Sequence, residues 1–202
     1  MFFFVYLRKI FTLMAAHRLF IMQTSFDGLT YTKGTPIDTL ASYNVVCKEF
    51  PFKLYPETKD VVTNNWRGSH GLDVYIPAEN KIKDYDIDVQ FLYLGTHAQM
   101  RTQIEQFFKF LHGLAGPVVI SGNSTTVTPP AGARLAIYDE YTQIGRKDVR
   151  VASIEPGGWW DMPDFDTDAI ADFKVRFHVY DPVTDVTPVL SSNKINDMTW
   201  AE

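Results

Sequence analysis

DYDIDVQFLYLGTHAQMRTQIEQFFKFLHG, residues Asp84 to Gly113, changes its apolar period once, at Gly95. From Tyr85 to Leu94 the period is two. Tyr85, Ile87, Val89, Phe91 and Tyr93 fall on one face, and Asp86, Asp88 and Gln90 share the other with Leu92 and Leu94, the pattern of a pleated strand. Beyond Gly95, Met100, Ile104, Phe107, Phe108 and Leu111 recur as one helical stripe. Thr96 followed by Gln99 fits a capping box, and Gly113 stands where a left-handed residue ends a helix. The spacing predicts a helix over 97–112, about 24 Å long at 1.5 Å per residue. Such a helix needs an apolar sheet to lie on.

The flanking sequence supplies strands. Downstream, Pro117–Ile120, Arg134–Asp139, Asp148–Ile154 and Ala171–Tyr180 read as strands. The last of these alternates most cleanly, with Phe173, Val175, Phe177 and Val179 inward and Asp172, Lys174, Arg176 and His178 outward. YTQIGRK, with Gly145, reads as a hairpin connection. Ser121–Gly132 and Pro156–Asp168 read as exposed loops, and residues 186–202 as a polar C-terminal arm. Upstream, Tyr43–Phe52 and Leu72–Ile76 are strand-like, Thr35–Thr39 is a turn, and Trp66–Gly71 is a loop. The expected fold is α+β: a mainly antiparallel β-sandwich or partial barrel with one packed amphipathic helix, in a single domain over 22–185.

Composition bounds the function. The chain has 202 residues, a net charge of −5, 46% hydrophobic residues and one cysteine. One domain accommodates that length. The acidic balance disfavours broad phosphate binding, so no specific nucleic-acid partner is expected. No segment reaches 18 apolar residues free of charge, so no membrane-spanning helix is expected. Cys47 alone excludes an intrachain disulfide and any zinc site built from several cysteines. Residues 1–21 are apolar and basic (Arg8, Lys9, Arg18) with no acidic residue. Their charges follow Phe2–Leu7, the wrong order for a secretory signal. They read as a non-native extension, with Met22 as the natural start. The alternative for this stretch is a membrane-surface helix.

The chemistry-bearing residues form no catalytic motif. Asp161, Asp164, Asp166, Asp168 and Asp172 cluster within twelve residues, but a calcium loop would need glycine and glutamate where Ala169 and Val175 stand. Solvated carboxylates are the expectation. A hydrolase or metal-dependent enzyme using that Asp161–Asp172 loop is the alternative. His17, His70, His97, His112 and His178 stand in no ligand spacing. Ser69 beside His70 lacks a nucleophile elbow. No catalytic residue, metal or cofactor is expected. Trp159 and Trp160, in a glycine-flanked segment, suit either a subunit interface or a plug under the sheet. A small ligand-binding module using them is a further alternative.

The order of elements resembles the ring-forming N-terminal domain of phage distal tail proteins, within the tail-tube fold. YDIDVQFLYLG before the helix, the hairpin around Arg146–Arg150 and the closing FKVRFHVYDP carry the resemblance, over roughly Leu72 to Asp185. It implies a non-enzymatic structural subunit of a virion tail, made in the bacterial host cytoplasm. That subunit would assemble with itself into a ring, hexameric by the resemblance, against neighbouring tail or baseplate proteins. Trp159, Trp160, Leu92 and Leu94 are the expected interface residues. The chain lacks room for the sizeable carbohydrate-binding-like C-terminal domain that many members carry.

Overall fold

The computed structural model describes residues 17–51, 56–65, 67, 70–71, 73–75, 77–116, 118–121, 124–127, 131–161, 168–191 and 194–200. The elements run β1 (Leu19–Phe26), β2 (Tyr31–Lys33), β3 (Ile37–Asp38), α1 (Thr39–Tyr43), β4 (Val45–Glu49), β5 (Val62–Asn64) and β6 (Asp73–Tyr75). There follow β7 (Tyr85–Thr96), α2 (His97–Leu111), β8 (Val118–Ser121), β9 (Ser124–Val127), β10 (Arg134–Asp139) and β11 (Ile144–Asp161). The chain closes with β12 (Asp168–Val179), β13 (Val186–Ser191) and β14 (Lys194–Trp200). Among the described residues strand dominates over helix, which is the α+β class expected.

One antiparallel sheet has the order β2-β1-β10-β11-β12-β7-β4, with β3 also on β1. The strand of the opening motif and the strand of cleanest alternation are neighbours along their whole length, from Tyr85 opposite Val179 to Thr96 opposite Asp168. Register breaks between Leu135 and Ile137, Val151 and Ser153, Pro156 and Trp159, and Cys47 and Glu49 sharpen the curvature. The sheet curls until its ends meet. The His17 amide donates to the Cys47 carbonyl at 2.9 Å and the Cys47 amide to the His17 carbonyl at 3.1 Å. This bridge joins the lead-in to β1 with β4, so β1, β10, β11, β12, β7 and β4 form a barrel closed at one seam.

The core lies inside that barrel and under α2. Every residue of the predicted inward faces is buried: Tyr85, Ile87, Val89, Phe91 and Tyr93 on β7, and Phe173, Val175, Phe177 and Val179 on β12. On α2, Phe107, Phe110 and Leu111 are fully buried, while Met100, Ile104 and Phe108 pack half-exposed at the margin. Phe110 thus belongs to the stripe as well. Gln23, fully buried on β1, closes off the end of the helix. Its Nε2 donates to the carbonyls of Phe110 in the last turn (2.6 Å) and of Ala115 just beyond the helix (2.8 Å), which ties the helix end to the segment that follows it. Gly113 adopts φ +69° there, as expected.

Several expectations are corrected. The domain boundary drawn before Met22 falls inside β1, whose Leu19, Phe20 and Ile21 are 0–2% exposed; the barrel uses these residues because their apolar side chains fill both of its layers. Thr96 is the N-cap of α2 but makes no side-chain cap bond, so the capping box does not form. Thr35–Thr39 is more than a turn. Asp38 Oδ1 accepts from the Leu40 amide and caps the short helix α1. Within Ser121–Gly132, β-branched Thr125, Thr126 and Val127 pair back on Val118–Ile120 as the β8–β9 hairpin.

The C-terminal segment is a hairpin, β13–β14, folded on the outside of β1 and β10. Val186 and Met198 are buried there with Phe20, Met22 and Ala136. The turn chemistry of DPVT, residues 181–184, not visible as apolar period, brings it back: the Asp181 carboxylate accepts from the Val183 and Thr184 amides. Gly145 is required at this contact, since a Cβ there would lie 1.9 Å from the Val186 carbonyl oxygen. Lys33 Nζ donates to the Met198 carbonyl at 2.8 Å and lies 4.3 Å from the Trp200 ring centroid. Buried Arg146 spans the layers, donating to the Tyr85 hydroxyl (3.2 Å), the Gly145 carbonyl (2.7 Å) and Asp185.

Candidate functional site

Two features stand outside the packed body. The first is a β-arm, formed by the described residues among 57–83. At its base the Lys83 amide donates to the Glu57 carbonyl (2.8 Å) and the Lys59 amide to the Lys81 carbonyl (2.7 Å). Farther out, β5 pairs with β6, Val62 opposite Tyr75 and Thr63 opposite Val74. Eight residues from Glu57 to Asn64 give about 26 Å of reach at 3.3 Å per residue. All of residues 57–65 are exposed. Val61, Val62, Val74 and Tyr75 are 40%, 70%, 45% and 70% exposed, an apolar surface on a ribbon whose two strands pair with no third among the described residues. A lone two-stranded ribbon is marginal in water without a surface to rest on.

The second is a charged ladder on the outer face of β7 and β12. Cross-strand register sets it: Arg176 opposite Asp88, His178 opposite Asp86. Arg176 Nε and Nη2 donate to the two Asp88 oxygens at 2.7 and 3.2 Å, and Lys174 Nζ lies 3.4 Å from Asp88. The Arg176 guanidinium holds the Asp88 carboxyl below the usual carboxylate range. His178 sits between two carboxylates, Nδ1 2.6 Å from Asp86 and Nε2 3.0 Å from Asp84. Both ring nitrogens are engaged, so neither is left to activate a nucleophile. A groove of about 290 Å³ runs from this ladder to the foot of the arm, between Glu57, Lys83, Asp84, Asp86 and His178.

The residues expected to matter are dispersed. Trp159 and Trp160 are on a strand, not in a loop: they extend β11 and pair with Ala171 and Ile170 of β12. The glycines before them sit at a bulge, where the Asp172 carboxylate accepts the Gly158 amide, so the aspartate is used structurally. Their side chains lie outside the described residues, as do residues 162–167 with Asp164 and Asp166, and the side chains of Asp161 and Asp168. Leu92 is 4% exposed and hence not offered to a neighbour; Leu94 is half-buried. Ser69 also lies outside the described residues, and His70 is exposed. His97 and His112 bound opposite ends of α2, too far apart to share a ligand.

The described residues contain one donor triad able to hold a metal ion, at the seam of the barrel. His17 Nε2 is 2.7 Å from Asp139 Oδ1, and Cys47 Sγ completes a group within 4.8 Å. Burial, then the Asp139 charge, push the Cys47 thiol well above its ordinary value. Sequence reasoning missed this triad because three separate segments contribute one residue each. It missed the arm because the polar stretch Glu57–Asn65 carries no apolar period.

The chain matches no family model, no curated protein and no solved structure.

Proposed function

We propose that the protein is a structural subunit of a phage or prophage tail, a distal-tail or tube-like subunit that assembles with itself into a ring. The observation that carries this reading is the arm: an exposed ribbon, apolar at Val61, Val62, Val74 and Tyr75, that the described residues of the subunit leave uncovered. In a ring each subunit lays its arm on the next, a heterologous contact that closes when the rotation closes. The barrel with one packed helix supplies the rigid body, in keeping with the resemblance of the sequence to tail-ring proteins. The β7–β12 ladder adds charges of both signs for matching a neighbour. The net charge of −5 suits a channel wall that passing DNA does not adhere to.

The reading is tested by light scattering and electron microscopy of the intact chain beside a Val62→Asp/Tyr75→Asp variant. A ring that forms from the former and not from the latter, with both folded, supports it. Assembly unaffected by the two charges removes the arm from the interface.

A further inference from the structure

The seam of the barrel gathers three side chains that ring assembly does not use. His17 precedes β1, Cys47 lies on β4 and Asp139 ends β10, yet their donor atoms all lie within 4.8 Å of one another. Cys47 and Asp139 are fully buried, and the His17 side chain keeps 14% exposure. The structure assigns, we infer, a zinc-binding site to His17, Cys47 and Asp139, one that clips the two ends of the sheet together.

The donor set selects the ion. Imidazole nitrogen, thiolate sulfur and carboxylate oxygen are the three ligand types that zinc accepts together, whereas calcium and magnesium require oxygens throughout. Charge balances as well. One thiolate and one carboxylate cancel the two positive charges of the ion, so the buried group carries no net charge. On binding, the Cys47 thiol releases its proton. Where His17 is protonated, the proton it shares with Asp139 leaves too. Zinc–ligand lengths of about 2.0–2.3 Å place tetrahedral donors roughly 3.3–3.7 Å apart. From the present separations that needs side-chain adjustments of about 1 Å.

The surroundings already orient the carboxylate. The Thr142 amide (2.8 Å) and Thr142 Oγ1 (2.7 Å) both donate to Asp139 Oδ2, which leaves Oδ1 directed at His17. Such an outer partner fixes a ligand before the ion arrives. The backbone bonds between His17 and Cys47 hold the other two donors in register. The partly exposed edge of His17 gives the ion its entrance and a water its place as fourth ligand.

The experiment uses the intact chain after chelator treatment and dialysis. Cobalt titration is expected to give a thiolate-to-metal charge-transfer band and tetrahedral visible bands that saturate at one ion per chain and vanish on adding zinc. At a hundredfold excess of free zinc over its Kd the thermal midpoint should rise by roughly 5–10 °C, with magnesium inert. His17→Gln, at the rim, should keep the fold and weaken uptake at least about tenfold. No cobalt band and no zinc-dependent shift would overturn the assignment. So would a band that persists in Cys47→Ser, which would place the ion elsewhere. Neither result bears on ring assembly, because the seam is distant in chemistry and role from the arm.

Discussion

Replacing Phe107 by alanine removes the side chain on which the helix seats. Its ring centroid is 5.5 Å from Tyr43, 5.5 Å from Phe91, 6.1 Å from Phe173 and 6.3 Å from Phe108, and it has no solvent exposure. Truncating a buried phenylalanine costs about 3–5 kcal/mol as lost transfer energy plus the cavity that remains. Four aromatic neighbours from α1, α2, β7 and β12 leave little room for collapse, which places Phe107→Ala near 5 kcal/mol, at the top of that range of about 3–5 kcal/mol. Domains of this size hold about 5–15 kcal/mol in all. The thermal midpoint should therefore fall by roughly 10–20 °C. Urea unfolding followed by circular dichroism gives the free energy, with an unchanged slope showing that the same structure is lost. Phe108→Ala, one residue on and only half-buried, should cost clearly less. A Phe107→Ala penalty under about 1.5 kcal/mol, or equal penalties at the two positions, would refute the placement of α2 on the barrel.

The other expectations follow from single contacts. Gln23→Met keeps the volume but leaves the Ala115 carbonyl without its donor, while the Phe110 carbonyl retains the Gly113 amide; the cost should be about 2 kcal/mol by urea titration, and a neutral result would contradict the capping role. Arg176→Gln should return the Asp88 carboxyl toward its ordinary range, read by carboxyl carbon chemical shift. Because the folded-state value is depressed, the stabilisation by Asp88 is present above the unfolded carboxyl pKa and disappears as pH falls through the folded one. Between about pH 4 and 2, therefore, the variant should lose less stability on acidification than the parent chain. Identical Asp88 titration in both proteins would break the assignment of its partner.

Regular period made the barrel's β7, β12 and α2 readable in Asp84–Gly113 and Ala171–Tyr180, because one buried face repeats along each strand and helix. Three features carried no such signal. β1 was cut at Met22 because the apolar, basic lead-in contrasts with the acidic remainder, although Leu19–Ile21 fill the core. β13–β14 was hidden because only Val186 and Met198 of it are fully buried, too sparse for a pattern. In the arm only LDVYI, residues 72–76, alternates, and β6 forms there; its partner stretch Glu57–Asn65 is polar and carries no period. The seam triad unites residues far apart in sequence, which only the closure of the sheet brings together. At Trp159 and Trp160 composition suggested a loop, whereas pairing with β12 continues through a bulge that the preceding glycines allow.

The central claim is that the arm joins barrels into a ring. Its most direct measure is the mass of the intact 23.1 kDa chain by light scattering across rising concentration, beside the Val62→Asp/Tyr75→Asp arm variant of equal thermal midpoint. The account predicts a closed oligomer, six chains by the resemblance, for the parent chain and a folded monomer for the variant. A parent chain that stays monomeric at every concentration, or a variant that assembles as the parent does, would contradict it.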